Sequence, residues 1–235
     1  MSLIRCQASR RLLCLLPVLP LILLCGSCSD FWVSNSSTAT LIVSPPAVLL
    51  KAAVAPATTG DTFTLSATAT TVGGTSSDVT STATWTSSSP TNVAVASGVI
   101  TAAATGGVAA TITASSGGET GSCAVFTYTG TTPTAINVTY TLPTGVTAST
   151  IPLGTTFNVF AQASPSLNLV TNQDITSYVQ WTLTSNTAGA TISTTGQVTV
   201  PSTATIGSFT VNAIATFGSS VSPSTLTGST TFTVI

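Results

Sequence analysis

The feature that most constrains this chain is a period-two alternation of apolar and hydroxyl-bearing residues. Between Asp61 and Thr70, the apolar side chains of Phe63, Leu65 and Ala67 are each followed by a Thr or Ser. Successive side chains of a strand point to opposite faces, so this pattern predicts strands with one face in a core and the other in water. Turn-forming residues interrupt such segments about every ten residues, and no window has helical spacing. The sequence therefore predicts an all-β chain of the sandwich type.

The chain also repeats itself, which sets the expected number of domains. Two copies of one module explain the repeat better than one large domain does, and we expect module 1 over residues 39–129, a linker at 130–133 and a divergent module 2 over 134–235. A linker this short favours a semi-rigid rod. Four motifs return in the same order roughly 96 residues later: Gly60–Phe63 as Gly154–Phe157, Asp78–Ser81 as Asp174–Ser177, Trp85 as Trp181, and Gly98–Thr101 as Gly196–Thr199.

These motifs resemble the group 2 bacterial immunoglobulin-like domain, which has a Gly-x-Thr-x-x-Leu-x-Ala strand, an Asp-Val-Thr before a Trp strand and a Gly-x-Val-Thr-Ala segment. The resemblance covers about residues 39–235 and implies two tandem immunoglobulin-like antiparallel β-sandwiches. It also implies a spacer or adhesive role, with glycan binding attributed to some members, and it transfers no binding residue to this chain. The matching segments are Gly60–Ala67, Asp78–Trp85, Val93–Ala96, Gly98–Ala102 and Ala110–Ala114 in the first module, and Gly154–Ala161, Asp174–Trp181, Gly196–Thr199 and Gly207–Ala215 in the second.

The N-terminal residues have the order of a secretory signal. Arg5, Arg10 and Arg11 form a basic head, and an apolar run follows from Leu12 to Leu24. This run is interrupted by Pro17 and Pro20 and is too short for a transmembrane helix, which needs about 20 apolar residues. We therefore expect residues 1–27 to be removed as a signal peptide.

The end of the apolar run, Leu24–Cys28, resembles the lipobox of bacterial lipoproteins. The resemblance implies cleavage after Gly26 and Ser27, acylation of Cys28, and a tether over residues 28–38. Several acyl chains hold a protein firmly on a membrane, so the expected partner is the membrane and the expected location is the cell envelope, with Ser29 favouring the outer membrane. The alternative is a plain signal peptide with incidental cysteines.

Charge and residue types exclude several classes of function. Lys51 is the only basic residue after the signal, against all five acids of the chain. Nucleic-acid binding needs clustered Lys and Arg, so we expect no nucleic-acid partner. The chain has no His, and its solitary acids provide neither a general base beside a nucleophile nor a carboxylate pair. We expect no catalytic residue, no cofactor and no enzymatic activity.

Two residue types recur in both modules and invite a functional interpretation. Trp85 and Trp181 lie in the strand that buries an indole in such sandwiches, so a core role is favoured over a sugar-stacking platform. Asp78 and Asp174 precede those strands. Neither has a second carboxylate nearby, so backbone capping of a turn is favoured over a metal site, and we expect no metal.

Cys123 is the only cysteine of the chain beyond Cys28. Its apolar surroundings favour a buried, inert thiol, and an intermolecular disulfide is the alternative. The sequence as a whole favours a lipid-anchored module for adhesion or polysaccharide contact that acts through exposed strand faces rather than a pocket. The rival hypothesis is a structural or spacer component of an envelope assembly that contacts other envelope proteins.

Overall fold

The computed structural model describes residues 37–54, 57–165, 167, 173–219 and 223–235. The predicted signal peptide, the acylation site Cys28 and all but the last two residues of the tether lie outside these ranges, so their assignments stay predictions. Within the described part of the chain, no helix has both the length and the apolar character needed to cross a membrane.

The first half of the described chain consists of ten strands. Alternating burial along them, as in β9, matches the predicted period of two. Their bounds are β1 Thr38–Ser44, β2 Ala47–Lys51, β3 Thr62–Thr64, β4 Ser66–Thr71, β5 Ser76–Asp78, β6 Thr84–Ser87, β7 Val93–Ala96, β8 Val99–Ala102, β9 Ala109–Ser116 and β10 Glu119–Tyr128.

The second half adds eight strands and one short 3-10 turn, Thr176–Tyr178. The turn lies between the third and fourth of these strands. Their bounds are β11 Ala135–Thr141, β12 Thr156–Ser164, β13 Gln173–Asp174, β14 Gln180–Thr184, β15 Thr191–Ile192, β16 Gln197–Thr199, β17 Gly207–Phe217 and β18 Ser224–Val234.

Both halves have the same strand topology. In the first, β1 pairs antiparallel with β4, and the chain then crosses to the opposite sheet, where β2 pairs parallel with β10 and β9 separates β10 from β6. In the second, β11 pairs antiparallel with β12, and the parallel contact is a bridge between Ile151 and Val234 at the end of β18. The strands β14, β17 and β18 complete that sheet. The chain is therefore all-β and forms two tandem immunoglobulin-like sandwiches, as the sequence predicts.

Each sandwich has its own buried cluster. In the first, Leu65, Ile100 and Ile112 are fully buried between the sheets, and in the second Phe209 and Phe232 stack with ring centroids 5.4 Å apart. Burying each such side chain contributes about 1.5–3 kcal/mol. Two clusters agree with a duplicated module, while the limits 39–129 and 134–235 stay predictions.

The sandwiches are joined by more than the linker. Phe217 of β17 lies opposite Leu49 of β2, and the Gly218 amide donates a 2.8 Å hydrogen bond to the Leu49 carbonyl. One sheet therefore runs from β14 through β17, β2, β10 and β9 to β6. Leu49 and Tyr128 are buried in the cluster of the second sandwich although their strands belong to the first. The junction is thus built from main-chain hydrogen bonds and shared core residues.

The predicted linker is also tied to its surroundings. The Gly130 amide donates to the Leu167 carbonyl at 2.6 Å, and the hydroxyls of Tyr128 and Thr132 lie 3.3 Å apart. These contacts restrain the segment between β10 and β11.

Candidate functional site

The first sandwich positions Asp78, Thr80 and Trp85 as one hydrogen-bonded unit. The Asp78 Oδ1 accepts from the Thr80 amide at 2.8 Å, and the Thr80 Oγ1 accepts from the Ala67 amide of β4 at 2.8 Å. The Trp85 Nε1 donates to the Thr80 carbonyl at 2.9 Å. Hydrogen bonds from the side chain and the amide of Thr80 lower the pKa of Asp78, because they favour the ionised carboxylate. The unit fixes the turn before β6 to the neighbouring strand.

The second sandwich repeats this unit. The Asp174 Oδ1 accepts from the amide and the hydroxyl of Thr176, at 2.8 Å and 2.5 Å. The Ala161 amide donates to the Thr176 Oγ1 at 3.0 Å, and the Trp181 Nε1 donates to the Thr176 carbonyl at 3.1 Å. Asp78 and Asp174 therefore lie at turns, and among the described residues no three His, Cys, Asp or Glu side chains gather as metal ligands.

The two indoles differ in exposure. Trp181 is 9% exposed and belongs to the second core, whereas Trp85 is half-buried at the edge of the first. Sequence reasoning assigned the same core role to both and did not anticipate the difference.

A glycine completes each unit. Gly98 and Gly196 have positive φ angles of 83° and 80°, in the left-handed region that favours glycine. A Cβ on Gly196 would lie 2.4 Å from the Val159 carbonyl oxygen and 3.5 Å from the Trp181 ring, and one on Gly98 would meet the Leu65 carbonyl at 2.9 Å. Both glycines allow close packing of the loop on the indole.

The candidate site is a groove of about 590 Å³ between the sandwiches, within the usual range for ligand sites. The first sandwich contributes the outer face of its sheet, including Thr111, Ser122 and Ala124. The second contributes the end of the 3-10 turn, the start of β14 and the loop between β15 and β16. Trp181 lines the groove from this side.

A smaller cavity of about 200 Å³ continues the groove across the first sheet. It shares Thr111, Ala124 and Ser177 with the larger one. At its edge Phe126 contacts Tyr178, with ring centroids 5.1 Å apart, which holds the 3-10 turn against β10. The two cavities therefore lie side by side, and each has walls from both halves of the chain.

The groove lining contains no ionisable side chain apart from the Tyr178 phenol. Its apolar members Ala47, Val179 and Trp181 are buried, while its hydroxyls are exposed, including those of Thr111 and Ser122. Among these lining residues, no carboxylate or imidazole lies beside the hydroxyls.

Asp61 and Lys51 lie at another place near the junction, outside the groove. The Lys51 amide donates to the Asp61 Oδ2 at 3.3 Å, and the Asp61 amide donates to the Lys51 carbonyl at 2.8 Å. Burial raises the pKa of the Asp61 carboxyl, partly offset by the hydrogen bond and charge of Lys51. The carboxylate therefore has a structural partner on the neighbouring strand.

Cys123 is fully buried in the first core, and this burial raises the pKa of its thiol to about 12. A thiol held so far from its ionised form is a poor nucleophile. Its burial also leaves no surface from which a second chain could form a disulfide with it.

Comparisons with known proteins show distant structural similarity only. No protein-family model matches this sequence, and no curated protein is significantly similar to it. Domains 4–9 of the surface-layer protein SbsC share 17% identity over 84% of this chain, with a TM-score of 0.33, and this chain spans only 31% of that structure. Domains 5–6 of the same protein share 18% identity over 84% of this chain and 97% of the other, with a TM-score of 0.33.

The first two extracellular cadherin domains of human protocadherin-24 share 12% identity, over 84% of this chain and 97% of the other, with a TM-score of 0.29. At such identities and TM-scores, neither likeness assigns a function to this chain.

Proposed function

We propose that this chain is a cell-envelope lipoprotein, anchored through Cys28, whose two group 2 immunoglobulin-like modules make non-catalytic contact with polysaccharide at the cell surface. One observation carries the proposal. The two sandwiches enclose an open groove lined by hydroxyls and apolar side chains, with no carboxylate, ammonium or imidazole in it. Uncharged, hydroxylated polymers suit such a lining better than nucleic acid or acidic ligands do.

The test is binding by the full chain, purified from the envelope fraction of cells that express it with its own leader. A glycan array and a pull-down with purified cell-wall polysaccharide measure that binding directly. We expect retention on at least one neutral polysaccharide. Binding to no glycan and to no wall fraction would contradict the proposal.

The anchor has its own test, because Cys28 lies outside the described residues. Cells that express the wild type or Cys28→Ala are labelled with a clickable fatty acid, and the chain is then isolated. We expect label on the wild type and little on Cys28→Ala, with Cys25→Ala as the matched control that keeps its label. Equal labelling of wild type and Cys28→Ala would rule out acylation at this position.

The rival function is a spacer in an envelope assembly, and the hydrogen-bonded junction favours it, since a spacer benefits from a fixed angle between its modules. It predicts co-purification with other envelope proteins after crosslinking and no affinity for glycans. The burial of Cys123 argues against a disulfide as the means of that assembly.

A further inference from the structure

We propose that the end of the second sandwich at which β17 begins and β18 ends, called the tip below, is a self-association surface. Through Leu153, Ile206 and Ile235 it docks on the tip of a second copy of this chain, with a two-fold axis between the copies. Neither the anchor at Cys28 nor contact with polysaccharide is needed for this association.

Three apolar side chains are exposed together at the tip. Ile206 directly precedes β17 and Ile235 directly follows β18, at the end where the first residue of β17 is paired with the last residue of β18. The Ile235 amide donates a 3.0 Å hydrogen bond to the carbonyl of Ile151, which is two residues before Leu153. Ile206 is 78% exposed, Ile235 56% and Leu153 44%. Grouped apolar exposure of this kind is typical of a contact surface.

The corresponding end of the first sandwich is already an interface, because the second sandwich covers it. Tyr128 and Ile235 are equivalent, since each lies seven residues beyond the glycine, Gly121 or Gly228, at which the first strand of its sandwich crosses the last. Tyr128 is 1% exposed, belongs to the second core and meets the Phe217 ring edge-on, with centroids 6.4 Å apart. Ile235 has an apolar side chain at the same place, but it is exposed. An end that is an interface in the first module therefore has the character of an interface in the second.

The tip also carries a hollow that matches its own projecting side chain. The hollow has a volume of about 210 Å³ and is lined by the 187–189 loop and by the turn that precedes Ile206, with Ala188 and Ala204 among its apolar members. The Thr205 hydroxyl donates to the Thr187 carbonyl at 2.7 Å, which joins the two walls beside Ile206. The projection and the hollow thus lie side by side on one surface. A two-fold axis places Ile206 of each copy in the hollow of the other, which is the geometry of a self-complementary contact.

A head-to-tail chain of copies fits less well. The second sandwich contacts the first through the rings of Tyr178 and Phe217. The equivalent positions of the first sandwich, by the Trp motif and by the register of its last two strands, are the exposed Thr82 and Gly118. Without these two rings, the first sandwich of another copy lacks the contacts by which the second sandwich docks. The two-fold arrangement of tips is therefore favoured.

The size of the tip sets the expected strength of the contact. A stable interface buries about 800 Å² per partner, which is more than three aliphatic side chains and a small hollow supply. The association is therefore weak and depends on concentration. Many copies held on one surface would strengthen it, because each further contact then forms at a high effective concentration.

Photocrosslinking in cells that express the full chain identifies the occupant of the tip. A benzophenone amino acid replaces Ile206, and the matched control carries it in place of Ile42, which is 61% exposed on β1 of the first sandwich. We expect two copies joined from position 206 to the 187–189 loop or the 201–205 turn of the other copy, and no such product from position 42. A product with a different protein or with lipid alone, or no product, would overturn the second copy as the occupant. A crosslink to Thr82 or Gly118 would overturn the two-fold arrangement.

Sedimentation of the purified full chain over micromolar to millimolar concentrations measures the strength of the association. Ile206→Asp brings a carboxylate of each copy into the apolar contact, and we expect it to weaken dimer formation about tenfold or more. Ile42→Asp is the control at a comparably exposed isoleucine, and it should associate as the wild type does. Circular dichroism checks that both variants fold. A monomeric wild type would overturn self-association, and equal association of all three proteins would overturn the tip as its site. Either result leaves the proposed function standing.

Discussion

Replacement of Gly196 by Ala tests whether the repeated Asp-Thr-Trp unit stabilises the fold through the close approach of its glycine. The structure supplies a matched control in Gly118→Ala. Gly118 has a φ of 88° in the turn between β9 and β10, and a Cβ there would have no atom within 4 Å. Both substitutions place an L-residue in the left-handed region, which costs about 1–2 kcal/mol. Only Gly196→Ala also creates a clash.

The additional cost at Gly196 follows from its neighbours. A Cβ at 2.4 Å from the Val159 carbonyl oxygen forces the loop away from β12, and the 2.8 Å hydrogen bond from the Val159 amide to the Gly196 carbonyl lengthens or breaks. Such a bond contributes about 1 kcal/mol. Displacement of the loop from the Trp181 ring adds to this loss. We expect Gly196→Ala to destabilise the chain by about 2–4 kcal/mol in all, against about 1–2 kcal/mol for Gly118→Ala.

The assay is urea unfolding followed by tryptophan fluorescence. For each variant, the free energy of unfolding is extrapolated linearly to zero urea and compared with that of the wild type. Gly98→Ala gives the same test in the first sandwich, where the Cβ would meet the Leu65 carbonyl at 2.9 Å. If Gly196→Ala and Gly118→Ala differ by less than about 0.5 kcal/mol, within the spread of neutral surface changes, the close approach is not a source of stability.

Three further predictions concern a carboxylate, a thiol and the junction. The pKa of Asp78 in the folded chain lies below its ordinary value of 3.8, so the native state binds fewer protons than the unfolded state, and the stabilisation is present above that value and lost as the pH falls through the folded pKa. Between pH 5 and 2, the free energy of unfolding should therefore fall less steeply for Asp78→Asn than for wild type. An identical pH dependence of the two free energies would refute the capping role. Cys123, with a thiol pKa of about 12 and no exposed surface, should react with a disulfide reagent only after denaturation, and rapid native labelling would contradict its burial. Leu49→Ala in β2 should lower stability by about 2–5 kcal/mol and raise hydrogen exchange in β17 of the second sandwich; increased exchange confined to the first sandwich would show that the halves are not coupled through this residue.

The sequence predicts the strands well because the cause of their formation is local. Alternation along Asp61–Thr70 follows from the geometry of a single strand, and β3 and β4 lie within it. The turn positions of Asp78 and Asp174 are predictable for the same reason, since each carboxylate caps an amide two residues away. Duplication made both features visible twice.

The contacts between the halves have no such local signature. Leu49 and Tyr128 occupy apolar positions of their strands, and nothing in the alternation indicates that they belong to the core of the other sandwich. The groove was missed for the same reason, because Ala47, Ser122 and Trp181 are far apart in sequence and meet only through the shared sheet. The prediction that contact occurs through open strand faces rather than a cavity did not foresee this groove.

A second pair of equivalent glycines is not visible as a repeat in the sequence, because the two lie further apart than the other repeated motifs do. A Cβ on Gly121 of β10 would lie 2.7 Å from the Leu41 carbonyl oxygen, and one on Gly228 of β18 would lie 2.1 Å from that of Ile136. In each sandwich the first strand crosses the last at this point. The two glycines occupy different positions within β10 and β18, so the spacing of the other repeated motifs does not place one glycine opposite the other in the sequence.

The repeated unit and the groove are connected through the 3-10 turn. Asp174 caps the amide of Thr176, and the two residues that follow are Ser177, which lines the groove, and Tyr178, which packs on Phe126. The unit that holds Trp181 in the second core therefore also positions the part of the turn that meets the first sandwich. In the first sandwich the same capping by Asp78 holds the turn before β6 against β4. A motif that stabilises one module thus becomes, in the second copy, the element that shapes a surface between two modules.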